Sequence, residues 1–299
     1  MLPKKKVNAM TVDVEDYFHV SAFENVINPA DWDKHSSRVV KSTMRILELF
    51  SERNVKATFF TLGWVAKRYP ELVKEIVQNG HELASHGFNH QKATKMTASE
   101  FLEDVSMAKS LLEDISGGAV DGYRAPSFSI MEANEWAFDV LAEAGYTYSS
   151  STYAIKHDHY GTPNWPNKPY QARNGLWEFP QSTVEMMGRK LPAGGGGFFR
   201  LQPYLISKNL VNRFHAQQEH PYIFYFHPWE IDADQPVMQD APLKSRLRHY
   251  VNLSRMYKKV DALSQDFEWV SMREAHKGYL DDVSEKQPSF NSEVACASA

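Results

Sequence analysis

The 299-residue sequence contains a single cysteine, Cys296, and no long apolar segment. One cysteine can form neither an intrachain disulfide bond nor a thiolate metal cluster. No run approaches the ~20 apolar residues that a transmembrane helix needs, and no apolar signal-peptide core follows the basic residues 4–6. We therefore expect a soluble, cytoplasmic protein without a membrane span.

An excess of charge of either sign is also missing. The net charge is −4, and no dense block of lysine and arginine occurs beyond residues 4–6. The composition therefore gives no general attraction to nucleic acid or anionic lipid. Hydrophobic residues (42%) and charged residues (23%) occur in ordinary globular proportions, with ample material for a core.

Short β-rich runs alternate with amphipathic helical stretches, which favours an α/β fold, either a closed barrel or an open doubly wound sheet. The expected strands are 8–14, 57–62, 81–85, 120–123, 146–150, 177–179, 222–226 and 267–270. The expected helices are 37–53, 70–78, 97–115, 134–144, 203–217 and 243–263. Prolines and asparagines predict a long ordered loop over 153–175. We expect one domain over residues 1–280 and a disordered tail over 281–299.

Two carboxylates lie at the end of the first predicted strand. Residues two apart on a strand share a face, so Asp13 and Glu15 should point to the same side. Such a pair is repulsive unless a cation or a base lies between the two groups. A solvated acidic turn is the alternative explanation.

Two histidines, His86 and His90, follow the third predicted strand. Imidazole nitrogen is a preferred ligand of zinc and similar ions. Gly87 and Asn89 disfavour a long helix and place the pair on a loop. A pair at this spacing also arises by chance among 12 histidines, so on its own it indicates a metal site only weakly.

Arg124 and His227 also follow predicted strands. Each alone has a structural explanation without function. Arg124 could be a surface residue before a proline, and His227 could be a core histidine after an apolar run. All four clusters, however, fall at the C-terminal ends of strands, where α/β folds collect their active sites. Together they supply metal ligands, a base, an orienting cation and an acid, which metal-assisted hydrolysis of an amide or ester requires.

These motifs resemble the polysaccharide deacetylases with a NodB-like domain, known as carbohydrate esterase family four. The matching segments are 11–16, 86–90, 123–126 and 226–228, in family order over roughly residues 8–276. Segments 13–20 and 192–200 further resemble the exosortase-associated branch, whose members lie in bacterial exopolysaccharide loci. The resemblance implies a distorted (β/α)7 barrel with one divalent metal at its mouth. It also implies hydrolysis of N-acetyl groups on an amino-sugar exopolysaccharide or its lipid-linked precursor.

The resemblance also implies a role for each residue. Asp13 would be the base, held ionised and oriented by Arg124, and His227 would be the acid that protonates the departing nitrogen. His86, His90 and a carboxylate would hold the metal, expected to be zinc, with cobalt, nickel or manganese as alternatives.

The first motif departs from the family pattern. Val14 stands where the second of two adjacent aspartates is usual. The strand-face argument makes Glu15 the carboxylate ligand, and Asp16, just past the strand, is the competing choice. Without the resemblance, Asp13 and Glu15 could exchange roles.

Residues near these motifs are the candidates for contact with sugar. The predicted substrate-binding residues are Tyr17, Phe88, Tyr123, Pro126 and Trp229, with Phe128 and Trp165 as further aromatic candidates. The fourth family motif is degenerate at 148–151, and the glycine run 194–197 is expected to fold over the groove. Two alternative functions are hydrolysis of a small cyclic amide or ureide, and carbohydrate binding by a barrel without activity.

Overall fold

Parallel strands alternate with helices along residues 6–156 and 161–284, which are those that the computed structural model describes. The strands are β1 (Val7–Val14), β2 (Thr58–Thr61), β3 (Glu82–Ser85), β4 (Gly122–Tyr123), β5 (Tyr148–Ser149), β6 (Tyr170–Gln171), β7 (Trp177–Glu178), β8 (Thr183–Met186), β9 (Arg189–Pro192), β10 (Ile223–Phe226) and β11 (Glu268–Val270). The helices are α1 (Val39–Glu52), α2 (Gly63–Arg68), α3 (Pro70–Gln78), α4 (Ala98–Ser116), α5 (Ala137–Glu143), α6 (Gly196–Leu201), α7 (Tyr204–Gln217), α8 (Leu243–Tyr250), α9 (Leu253–Asp266), α10 (Met272–Ala275) and α11 (Lys277–Ser284). Within these residues, none of the helices combines the length and apolar character that crossing a bilayer would require.

The main sheet has the strand order β10-β1-β2-β3-β4-β5-β7, and every neighbouring pair in it is parallel. β11 pairs with the N-terminal half of β1, and β6 pairs antiparallel with β7. Because all the strands of the main order are parallel, their carboxyl ends meet on one side of the sheet. Side chains that follow β1, β3, β4 and β10 are therefore brought together there.

Residues 193–195 link the two edges of the curled sheet. The amide of Ala193 donates to the carbonyl of Ser182, which lies beyond β7, at 3.1 Å. The amide of Tyr225 in β10 donates to the carbonyl of Gly194 at 2.8 Å. Gly195 has φ +122°, and a Cβ there would lie 2.1 Å from the carbonyl oxygen of Tyr225, so only glycine fits. The glycine run was expected to fold over the groove; its first residues instead form part of the barrel wall.

Several predicted elements differ from the structure. The single helix predicted over 243–263 is two helices, α8 and α9, because Asn252 adopts a left-handed conformation (φ +56°) between them. The β8–β9 hairpin lies in a segment for which no strand was predicted. The predicted tail, 281–299, begins inside α11, which extends to Ser284, and residues 285–299 lie outside the described part of the chain.

The buried His81 is expected to make the fold sensitive to acid. Its Nδ1 accepts a hydrogen bond from the amide of Ala57 at 3.2 Å, and burial, together with the charge of Lys56, lowers its pKa to about 4. Below about pH 6.5 the unfolded chain binds a proton here that the folded chain does not. The free energy of unfolding should therefore fall by roughly 1.4 kcal/mol per pH unit between pH 6.5 and 4 from this residue.

The variant His81→Gln isolates this contribution, since glutamine retains an acceptor for the amide and does not titrate. Urea unfolding at a series of pH values should give a shallower decline of stability below pH 6.5 in the variant than in the parent protein. Equal slopes would show that His81 is not held neutral in the folded state.

Candidate metal centre and active site

The predicted catalytic residues and metal ligands surround one cavity of about 250 Å³ at the carboxyl ends of the parallel strands. Asp13 and Glu15 come from the end of β1, His86 and His90 from the loop after β3, and His227 from the end of β10. The cavity is lined by Asp13, Glu15, Val20, Ser21, Ala22, His86, His90, Ala125, Ser127, Phe128, Gly197, Tyr225, His227 and Trp229.

Glu15, His86 and His90 form a cluster that fits a metal ion. Each offers one ligand atom, and these atoms all lie within 4.8 Å of one another. Nε2 of His90 lies 2.6 Å from Oε2 of Glu15. Among the described residues, no group makes a hydrogen bond of regular geometry to this buried oxygen. A buried carboxylate oxygen next to imidazole nitrogens matches the donor set of metal sites.

The charges around the carboxylate favour its ionised form. Burial alone would raise the pKa of Glu15, but His90, His227 and His86 together lower it below its ordinary value. Burial also lowers the pKa of His86 to about 4, which keeps that imidazole neutral at physiological pH. An ionised carboxylate and a neutral imidazole are the forms in which these groups bind metals.

Backbone contacts orient the histidine loop. Nδ1 of His86 lies 2.8 Å from the carbonyl oxygen of Arg124. A carbonyl can only accept, so Nδ1 carries the hydrogen and Nε2 is left as the ligand atom. Asp104 of α4 accepts hydrogen bonds from the amides of Phe88 (2.9 Å) and Asn89 (3.3 Å), which fixes the loop between the two histidines.

Asp16, the competing carboxylate, has a different role in the structure. Its Oδ2 accepts from the amides of Arg38 (2.7 Å) and Val39 (3.0 Å) and from the hydroxyl of Ser37 (2.7 Å), at the start of α1. Its Oδ1 accepts from the amide of Tyr17 at 3.0 Å. Both oxygens are thus engaged by donors outside the cavity, so Asp16 caps a helix while Glu15 faces the histidines.

Asp13 is paired with Arg124 in the interior. The guanidinium donates to Oδ1 of Asp13 at 2.6 Å and to the hydroxyl of Thr11 at 2.7 Å. It also donates to the carbonyl and hydroxyl of Ser150, both at 3.2 Å. Both members of the pair are almost completely buried. Four hydrogen bonds on a planar cation therefore fix the direction of the aspartate.

His227 faces Asp13 and Glu15 across the cavity. Its Nε2 lies 3.9 Å from Oδ2 of Asp13 and 3.6 Å from Oε1 of Glu15. Its Nδ1 lies 2.7 Å from Oε1 of Glu230, and the other oxygen of Glu230 accepts from Arg200 at 2.6 Å. Burial alone would lower the pKa of His227, but Glu15, Glu230 and Asp13 raise it to about 9, so the imidazole carries a proton at neutral pH.

The comparisons with known proteins divide the chain into two matched regions. Residues 30–149 match the model of the polysaccharide deacetylase family, and this region contains His86, His90 and Arg124. Residues 150–277, which contain His227, match a domain of unknown function, DUF3473. The resemblance to the polysaccharide deacetylases that the motifs indicated is thereby confirmed for residues 30–149.

Curated relatives of this deacetylase family match part of the chain. A peptidoglycan-N-acetylglucosamine deacetylase of Bacillus cereus is 33% identical over 96 residues, 32% of this chain and 35% of the relative. A chitooligosaccharide deacetylase of Azorhizobium caulinodans is 34% identical over 85 residues, 28% of this chain and 40% of the relative. The matched segments thus span little more than a third of the length of these relatives.

A solved structure confirms the expected fold. A Mycobacterium smegmatis protein assigned to the polysaccharide deacetylases superposes with a TM-score of 0.60 at 19% identity. The superposition covers 96% of this chain and 93% of that protein. The α/β architecture with a curled, mostly parallel sheet is therefore shared with that protein.

Four of the five predicted substrate-binding residues do not line the cavity. Tyr123 precedes Arg124 on the strand, so its side chain points to the opposite face, into the core against Phe101. Tyr17 and Pro126 are buried, and Phe88 packs over Gly63. Of the seven residues named as sugar contacts or aromatic candidates, only Trp229 and Phe128 line the cavity; Trp165 packs on Phe138.

Trp229 has a defined place in this site. Its indole Nε1 donates to Oε1 of Glu15 at 3.1 Å, and its ring stacks on His227 with centroids 5.3 Å apart. It therefore supports both the carboxylate of the metal cluster and the imidazole facing it.

Sequence reasoning assigned no role to Glu230, Arg200, Thr11, Ser150 or Asp104. A signal existed for Glu230, because a glutamate three residues after His227 has the spacing of a capping box, and it bonds both the amide and Nδ1 of that histidine. The other four residues act through contacts between segments that are distant in sequence. Local sequence pattern does not predict such contacts.

Proposed function

We propose that the protein is a metal-dependent polysaccharide deacetylase that hydrolyses N-acetyl groups of amino sugars. The observation that carries this proposal is the convergence of a Glu15–His86–His90 cluster, an Asp13–Arg124 pair and His227 on one cavity. The reaction consumes one water, breaks the amide C–N bond, and yields acetate and a free sugar amine.

Glu15, Nε2 of His86 and His90 would hold one divalent metal, with zinc the first candidate. Two imidazoles and one carboxylate form a three-ligand protein set, which is the pattern of zinc sites that leave coordination positions open for reactants. Such an ion, when bound, polarises the acetyl carbonyl and makes water a better nucleophile at neutral pH.

Asp13 is the proposed general base. Arg124 fixes the direction of its carboxylate from one side, and Oδ2 is left facing His227 and the cavity. This oxygen can accept the proton of the attacking water as the carbon–oxygen bond forms. The buried ion pair keeps competing donors away from the carboxylate, so its position does not depend on substrate.

His227 is the proposed general acid. With both ring nitrogens protonated, Nδ1 donates to Glu230 and Nε2 presents its hydrogen to the cavity. The amide nitrogen departs with the electron pair of the broken C–N bond, and a proton from Nε2 makes it a neutral amine rather than a poor anionic leaving group. Acid and base face each other at the cavity, with Nε2 and Oδ2 3.9 Å apart.

A second cavity next to the site supports an extended substrate. Its volume is about 540 Å³, and it shares Val20, Ser21 and His90 with the catalytic cavity. It is lined by buried aromatic rings and by polar side chains, including those of Asn89 and Gln91. Two adjoining cavities of this kind suit several sugar units and offer more space than a small cyclic amide needs. Together with the branch resemblance, it supports an exopolysaccharide, or its lipid-linked precursor, as the polymer.

A substrate screen tests the proposed function. Acetate release should be measured from N-acetylglucosamine oligomers and from an extracted exopolysaccharide. Ring opening of small cyclic amides should be measured in parallel. We expect acetate from the oligomers, with rates that rise with chain length as the second cavity fills. Ring opening of small amides without acetate release would contradict the assignment.

Glu230 is expected to act as a positioning residue for His227. Glutamine at this site retains an acceptor for Nδ1 but removes the negative charge that helps to raise the pKa of His227. The variant Glu230→Gln should lower kcat by about 10- to 100-fold. The basic limb of the kcat–pH profile should move to lower pH, because the acid loses its proton sooner.

The pH profile separates this role from a merely structural one. A loss of stability would lower the amount of active enzyme without moving the basic limb. An unchanged limb with reduced kcat would show that Glu230 supports the fold and not the acid.

A further inference from the structure

The surface around α8 exposes an unusual number of apolar side chains. Among the described residues, six of the exposed large apolar side chains fall between residues 201 and 247: Leu201, Leu205, Ile206, Val237, Leu243 and Leu247. Leu243 and Leu247, four apart on one side of α8, are 68% and 63% exposed. Leu201 and Val237 line the same open depression as these two leucines, so the patch is continuous. We call these four residues, with the cations of α8, the α8 surface.

The α8 surface carries a strong local positive charge. Residues 243–260 contain six lysines and arginines, which are interspersed with other residues and do not form a dense block, and no aspartate or glutamate. The net charge of the chain is −4. Lys244, Arg246 and Arg248 of α8, and Arg255 and Lys258 of α9, form no ion pair with the residues that the structure describes. Their charge is therefore free to meet an external partner.

The α8 surface also adjoins the active site. His249 of α8 stacks on Trp229 with ring centroids 4.2 Å apart, and Trp229 lines the catalytic cavity. Helix α6 begins where Gly197 lines that cavity and ends at Leu201 in the α8 surface. The distance along the helix between the two is roughly 6 Å. A partner bound at the α8 surface would lie beside the mouth of the site.

We propose that the α8 surface docks on anionic phospholipid membranes. Leucines that protrude from a helix among unpaired cations can enter the headgroup region, while lysine and arginine contact lipid phosphates. A second copy of the chain suits the surface less well, because the cations of the two α8 helices would face one another. This inference goes beyond deacetylation and does not depend on it. In the membrane-bound protein, the cavity opens next to glycans held at the bilayer.

Vesicle flotation tests the proposal directly. The full chain should float with phosphatidylcholine vesicles that contain about one third phosphatidylglycerol, and far less with phosphatidylcholine alone, with binding that weakens as salt is raised. The double variant Leu243→Ser/Leu247→Ser should bind at least about tenfold more weakly. The charge variant Lys244→Gln/Arg246→Gln/Arg248→Gln should lose the preference for phosphatidylglycerol.

Met187, 97% exposed in the turn of the β8–β9 hairpin, offers a matched control. The variant Met187→Ser should bind vesicles like the parent protein. All variants should keep the parent melting temperature and acetate release from soluble oligomers, since these side chains lie outside the catalytic cavity. Absence of vesicle binding, equal binding to both lipid mixtures, or full binding by the leucine variant would overturn the proposal. A dimer that the leucine variant abolishes, without vesicle binding, would assign the surface to a second copy instead.

Discussion

Replacing Asp13 with asparagine should lower kcat for acetate release about a thousandfold. Asparagine has nearly the same shape and can still accept a hydrogen bond from Arg124, but it cannot take the proton of the attacking water. The KM should change little, because the substitution adds no bulk to the cavity. Steady-state kinetics on N-acetylglucosamine oligomers measures both constants.

The buried arginine requires a control on folding in this experiment. Removing the charge of Asp13 leaves Arg124 without its anionic partner, which destabilises a buried pair. Melting temperature and metal content should therefore be measured on the same preparation. A folded, metal-loaded Asp13→Asn protein with near-parental kcat would show that another group is the base, and Glu15 would be the next candidate.

Loss of any one cluster ligand should greatly weaken metal binding. The variants Glu15→Ala, His86→Ala and His90→Ala each remove one of three ligand atoms that lie within 4.8 Å of one another. We expect an affinity for zinc at least about a hundredfold lower, since each ligand makes a direct bond to the ion. Calorimetric titration of chelator-treated protein with zinc measures this without substrate.

Asp16→Asn is the matched control, because Asp16 is the neighbouring carboxylate and caps α1 instead of facing the histidines. It should keep the parental affinity for zinc and lose some thermal stability, by roughly 1 kcal/mol, from weaker capping. Normal zinc binding by Glu15→Ala together with loss of binding by Asp16→Asn would reverse the assignment of the carboxylate ligand.

Much of the candidate site could be predicted from sequence because of one physical constraint. Parallel strands bring their carboxyl ends to one edge, so polar residues that directly follow several such strands must converge. Asp13 lies at the end of β1, and His86, Arg124 and His227 each follow a strand. The structure places all four around the same point. Their side-chain chemistry then restricts which roles each can take.

The parts that could not be predicted depend on contacts distant in sequence or on local conformations without a clear signal. Arg200 and Glu230 are thirty residues apart, and their contact follows from the tertiary fold, in which segment 193–195 pairs with β10. The break between α8 and α9 occurs at Asn252, with no proline or glycine to mark it. Tyr123, which was predicted to contact substrate, packs in the core against Phe101.

The most direct test of the central claim is acetate release from N-acetylglucosamine oligomers before chelation, after chelation and after zinc is added back. We predict that activity is lost with the metal and restored by zinc in the parent protein, whereas Asp13→Asn stays inactive even when it is fully loaded with zinc. Undiminished acetate release from protein shown to be free of metal would contradict the account, because Glu15, His86 and His90 would then have no part in catalysis.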